Sequence, residues 1–245
     1  MVDSRRNNRA DPMHRILFHL MLVMVAFTGS SSFAQEPAPS QIMAEAAWDW
    51  RPGDLIFRDG INDIDGVTKR AFGLRWESVG ILRASSGGPR VVYVDQADGV
   101  SEEMLYAYVE GLSADDYAVY RVRGLDHDTD AQMTAGPLVR LALTISYGAP
   151  FDDWFLLGDG KFYNAELAYE SALNAGVVLG APVRLRELAT GPEDLDHEFR
   201  AVLEGHRYCR YELSFNDCWA NTLADQSIVT TDSLISSGAL DRVFP

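Results

Sequence analysis

The chain is short of cysteine, histidine and positive charge, and each shortage closes off chemistry. Only two cysteines are present, Cys209 and Cys218, far too few for a disulfide-dense scaffold. Of five histidines, His14 and His19 lie in the first segment, so the remainder holds only His127, His197 and His206. Lys and Arg number 21 against 36 Asp and Glu, a net charge of −15. Without any Lys/Arg run, such a surface repels nucleic acid and anionic lipid. No stretch beyond residue 35 has the roughly 20 consecutive apolar residues a membrane span needs. Internal repeats and low-complexity segments are absent as well.

What is present begins with an export-like N-terminus. Arg5, Arg6, Arg9 and Arg15 precede an apolar run from Ile16 to Phe27, and small residues lead to Phe33-Ala34-Gln35. A basic start, an apolar middle and a small-x-Ala exit read as a secretory signal over residues 1–34, cleaved after Ala34. Translation could start at Met1 or Met13. Cleavage would leave 17 Lys+Arg against 34 Asp+Glu, a net charge of −17, in a periplasmic or secreted protein with no membrane span. In that oxidising setting Cys209 and Cys218 suggest a disulfide; the alternative is a free thiol paired with His206.

Residues 35–49 read as a linker and 50–245 as a single domain, with a core over about 50–190 and a helical extension over 191–245. Strands are expected at Leu55–Phe57, Ser78–Leu82, Val91–Val94 and Tyr117–Val122, with a Ser85–Pro89 turn joining the second and third. Helices are expected over Val67–Phe72 before Gly73, from Ser101, over Asp130–Tyr147, over Asn164–Asn174 and from Thr231. The mixture implies an α+β domain with an antiparallel sheet packed by helices.

Five short motifs follow in order: Gly53-Asp54-Leu55-Ile56-Phe57, Glu77-Ser78-Val79-Gly80-Ile81, Val94-Asp95-Gln96-Ala97, Gly148-Ala149-Pro150-Phe151-Asp152 and Tyr163-Asn164-Ala165-Glu166-Leu167. Together they resemble the permuted papain-like amidases of the YiiX/YaeF type, relatives of NlpC-type cysteine peptidases. The resemblance implies a circularly permuted papain-like fold. It also implies a cysteine nucleophile opening a helix, a histidine base and a polar orienting residue. At those positions this chain has Asn164, Ser78 and Gln96. A carboxamide cannot attack a carbonyl as a thiolate does, so no catalytic position is intact. The resemblance then implies a catalytically inactive homologue with a retained cleft. That cleft would be lined by Asn164, Ser78, Gln96, Tyr163, Asp54 and Trp76, and would take a peptidoglycan peptide, an amide or an acyl ligand without metal or cofactor. The alternatives are an active envelope hydrolase using relocated Cys209 or Cys218, or a partner-binding scaffold whose cleft is closed by side chains.

Simpler roles stand beside these. Asn164 could begin its helix as an N-cap, Ser78 could be a small core residue, and Gln96 could bond across a hairpin. Glu166 reads as a helix-face acid. His127, within Asp126-His127-Asp128, reads as a loop before a helix rather than as a metal ligand. Trp48, Trp50, Trp76, Trp154 and Trp219 are expected in the core or on a cleft wall.

Overall fold

The computed structural model describes residues 44–125, 136 and 138–245. The segment expected to be a signal (1–34), most of the expected linker, His127 and most of the first half of the helix expected over Asp130–Tyr147 lie outside the described residues.

Strands β1 (Leu55–Arg58), β2 (Ser78–Arg83), β3 (Arg90–Asp95), β4 (Gly99–Met104), β5 (Tyr117–Val122) and β8 (Leu240–Phe244) form a six-stranded sheet in the order β4-β3-β2-β1-β5-β8. Every pairing in it is antiparallel. Strands β6 (Val183–Arg184) and β7 (Ser227–Ile228) make a separate two-stranded ladder. Among the described residues they are accompanied by α1 (Asp63–Phe72), α2 (Leu105–Tyr108), α3 (Val139–Thr144), α4 (Asn164–Asn174), α5 (Leu185–Leu188), α6 (His197–Glu204), α7 (Phe215–Asn221) and α8 (Thr231–Ile235), and residues 44–46 are helical as well. None of the described helices is long and apolar enough to cross a membrane.

The two-residue period of the strands divides the apolar side chains between two layers. Leu55, Phe57, Val79, Ile81, Val92 and Val94 face a large core shared with Leu167 and Ala168 of α4, and with Phe199, Cys218 and Leu223. Ile56, Leu82, Val91 and Val119 face a smaller one with Trp48, Tyr108 and Tyr117. Gly80 is required where this second layer presses closest: a Cβ there would stand 2.3 Å from Val91 Cγ1 and 3.0 Å from Tyr108 Oη. Helix α4 lies across β2 and β3 on the larger core, which brings its N-terminus to the end of those strands.

Several elements differ from expectation. Ser101–Met104, expected to open a helix, is the second half of β4. Glu102 there pairs with both Arg83 and Arg90 of neighbouring strands, a cross-strand arrangement that outweighs its resemblance to an acidic first turn. Helix α1 starts four residues before Val67 and ends, as expected, at Gly73 with φ 64°. The extension beyond residue 190 includes β7 and β8 as well as helices, so the chain's last strand completes the sheet beside β5.

Candidate functional site

The N-cap position of helix α4 is Tyr163, which has extended geometry and makes no side-chain cap. Asn164 is therefore the first helical residue rather than the cap, and its carboxamide is directed into the sheet instead. Its Oδ1 accepts from the Val94 N–H at 2.7 Å. Its Nδ2 donates to Asp65 Oδ2 at 3.0 Å, to Val94 O at 3.1 Å and to Ser78 Oγ at 3.4 Å. Asn62, just before α1, mirrors this: Nδ2 donates to Asp65 Oδ2 at 2.8 Å and Val94 O at 2.9 Å, while Oδ1 accepts from the Gln96 N–H at 2.8 Å. The Ser78 hydroxyl donates to the same Asp65 carboxylate. Asn62, Asp65, Ser78 and Asn164 are all buried.

Asp65 is the charged centre of this cluster. Burial pushes its carboxyl up from 3.8 to about 6, with a smaller push from Glu77; the three donors Ser78, Asn62 and Asn164 oppose the rise. The Ser78 hydroxyl, on a fully buried residue and bonded to this carboxylate, is closed off from any substrate carbonyl. What remains beside the cluster is a cavity of about 20 Å³, lined by Asp65, Thr68, Tyr163, Ala165, Val229 and Thr230 among others. That is room for about one water.

The other expected site residues lie around or away from this centre. Gln96 contributes only its backbone N–H, its side chain being exposed. Tyr163 borders the cavity, and its hydroxyl accepts from the Val229 N–H at 2.7 Å. Trp76 is buried, and its carbonyl accepts from the Thr231 hydroxyl at 2.7 Å. Asp54 belongs to a separate clasp: Arg121 donates to both its oxygens at 2.7 and 2.9 Å, the Arg51 N–H at 2.9 Å and Trp48 Nε1 at 3.3 Å. Cys209 and Cys218 form a disulfide, with Cα atoms 5.2 Å apart, and no described cysteine is free. The relocated Cys–His pair is thereby excluded in this structure. His206 packs by Trp154 at 5.5 Å between ring centroids, and burial lowers its imidazole from 6.5 to about 4.

Sequence reasoning missed Asn62 and Asp65. The available signal was their spacing, since residues three apart at a helix start share a face; an Asn-x-x-Asp there reads equally well as a solvated first turn. Glu166, expected as a helix-face acid, does lie on α4. It is buried: Oε1 accepts from the Gly158 N–H at 2.9 Å, and Oε2 has no hydrogen-bond partner among the described residues. Burial, then the nearby Asp152, Glu170 and Asp159 charges, raise its carboxyl from 4.5 to about 8 against the Gly158 bond. Asp152 accepts from the Trp154 N–H at 3.0 Å and from that of Leu156, and burial lifts it to about 6. Asp152 thus braces the 152–162 loop from within, and Glu166 ties it to α4.

An antiparallel sheet crossed by one buried helix, with a polar cluster where the two meet, defines a mixed α/β protein of YiiX-like fold. One solved structure carrying that likeness is the metalloprotein YiiX from Escherichia coli O157:H7, 21% identical to this chain with a TM-score of 0.59. The match covers 80% of this chain and 100% of the YiiX chain. No protein-family model and no curated protein matches the sequence. Among the described residues, no group of three or more His, Cys, Asp or Glu is placed to hold a metal ion. The Asp65 carboxylate, the best candidate ligand, is already committed to three internal donors.

Proposed function

We propose that this chain is an exported, catalytically inactive homologue of the permuted papain-like amidases, and that it works as a binding scaffold. One observation carries the reading. The position of the missing nucleophile is occupied by a carboxamide whose oxygen and nitrogen are both bonded inside a buried cluster, beside a void of only about 20 Å³. A peptide or acyl-amide carbonyl does not fit there, so the centre that would cleave it serves to join α4, α1 and the sheet. Export to the periplasm, with cleavage after Ala34, agrees with the basic–apolar–small pattern of the first 34 residues. The Cys209–Cys218 disulfide suits that oxidising compartment.

The test is hydrolysis of peptidoglycan fragments and of N-acyl amides by the purified protein and by the double variant Asn164→Cys, Ser78→His. Neither is expected to turn over, because restoring the reactive groups does not enlarge the cavity. Turnover by the native protein that Asn164→Ala abolishes would overturn the reading. N-terminal sequencing of the exported product tests the cleavage site, with Gln35 as the expected first residue.

A further inference from the structure

Outside the wall that closes the small cavity lies a second, larger hollow of about 410 Å³. Thr230 borders both spaces, so the outer hollow sits one residue's thickness from the small cavity. The wall is pinned from three sides. Thr231 donates to the Trp76 carbonyl, Asp232 Oδ1 accepts from the Arg75 N–H at 3.0 Å, and Thr230 forms a reciprocal cap with Ser233. The hollow's size falls in the range of roughly 300–1,000 Å³ typical of small-molecule sites.

Its lining comes from four separate stretches of chain. Arg75 precedes β2, Tyr120 lies on β5, Val183 on β6 and Ile235 on α8. The last three give an apolar surface. Among the described residues Arg75 is the only cation on the wall, and its guanidinium lies 4.2 Å over the centre of the Trp76 ring. Stacking holds the planar group in place while leaving its N–H edge free to bind. Arg75 makes no ion pair among the described residues. Asp232, the nearest acid on the wall, spends Oδ1 on the Arg75 backbone instead. In a chain carrying 36 acids against 21 bases, an unpaired, pre-oriented guanidinium beside an apolar surface is well suited to one ligand chemistry. That chemistry is a carboxylate on a short apolar body.

We infer that this hollow is a binding site for small carboxylates with an aliphatic or alanyl body, an inference that rests on the scaffold reading above. The carboxylate pairs with Arg75, and the body lies against Tyr120, Val183 and Ile235. Two sources share this chemistry, a free acyl chain and the C-terminus of a short peptide.

The experiment is calorimetric titration of the full-length chain with octanoate and, separately, with N-acetyl-alanyl-alanine, using octylammonium as the control of opposite charge. Saturable one-site binding of at least one anion, and none of the cation, is expected. Octanoate alone would assign the acyl source, the peptide alone the C-terminal source, and both the shared chemistry. Arg75→Gln should weaken binding about tenfold or more, the usual scale for a lost charge-assisted bond. Arg75→Lys should retain part of it. Ser236→Trp, at an exposed position on the rim, should block entry without touching the core. Failure of both anions to saturate, or binding unchanged in both Arg75→Gln and Ser236→Trp, overturns the site. Either failure leaves the scaffold reading standing, because that reading falls only to hydrolysis that depends on Asn164.

Discussion

Asn164 does the work of several residues at once. It satisfies a β3 amide, donates to a β3 carbonyl and supplies one of three donors to Asp65. Removing it with Asn164→Ala orphans the Val94 N–H and strips a bond from a buried carboxylate. The expected cost is about 2–3 kcal/mol in urea melts at neutral pH. Asn164→Asp is nearly isosteric yet replaces the donor facing Asp65 with a second acid. Two carboxylates sharing one site cannot both ionise cheaply, so this variant should lose more stability at pH 8 than at pH 5. If it matches the native protein at both pH values, Asp65 does not face residue 164. The family resemblance singles out Asn164 in the sequence, but the sequence does not show what holds it. Its partner Asp65 is 99 positions away, and no local pattern links a helix start to a carboxylate at that distance.

At the scale of elements, the loop between Asp152 and Phe162 is braced internally by the buried Asp152 carboxyl and fastened to α4 by that of Glu166. Its base is closed by the Asp152 N–H to Phe162 O bond at 2.9 Å and the Phe162 N–H to Pro150 O bond at 3.0 Å. Phe155 within it takes φ 56°, a left-handed geometry costly for a bulky side chain. Its ring packs on Tyr163 at 5.1 Å and Phe199 at 5.8 Å, which offsets that cost. Glu166 is the sensitive member. Its carboxyl rises from 4.5 to about 8 on folding, so the folded state binds the proton more tightly than the unfolded one. Stability from this group is full below about pH 4.5 and is lost as pH climbs to about 8. Glu166→Gln keeps the acceptor for the Gly158 N–H and cannot ionise. The expected outcome is a flatter decline in melting temperature between pH 5 and 8 than in the native protein. An unchanged slope would mean that Glu166 is ionised throughout. Legibility was uneven at this scale. The strands β1, β2, β3 and β5 were readable because β-branched and aliphatic residues cluster between turn signals. Strand β4 was not, because Ser101-Glu102-Glu103 looks like a helix start until Arg83 and Arg90 are placed beside Glu102.

Across the whole molecule, the C-terminal third closes what the first two thirds build. Strand β8 pairs with β5, Val229 meets the Tyr163 hydroxyl, and Thr231 bonds the Trp76 carbonyl. These long-range ties turn an expected cleft into a cavity of about 20 Å³, and nothing in residues 191–245 read alone announces them. The disulfide acts within this closing segment. Cys218 is fully buried in the main core beside Phe199, Leu203 and Trp219, while Cys209 sits in the turn Arg207–Tyr211 that follows α6. The bond spans nine positions, so in the chain-entropy picture it stabilises the fold by about 2–3 kcal/mol. The double variant Cys209→Ser, Cys218→Ser should lose that amount or more, since a serine at 218 also buries a hydroxyl among apolar side chains. Cys209→Ala, Cys218→Ala avoids that penalty and isolates the cross-link. Thiol labelling of the native protein should be absent before reduction and count two groups after reduction and unfolding. Labelling of unreduced protein would show that the pair is open. The Ala variant should remain folded, because the α6–α7 region is also held by Phe199 on Phe72 at 4.8 Å and by the cation of Arg200 over Phe215 at 5.1 Å.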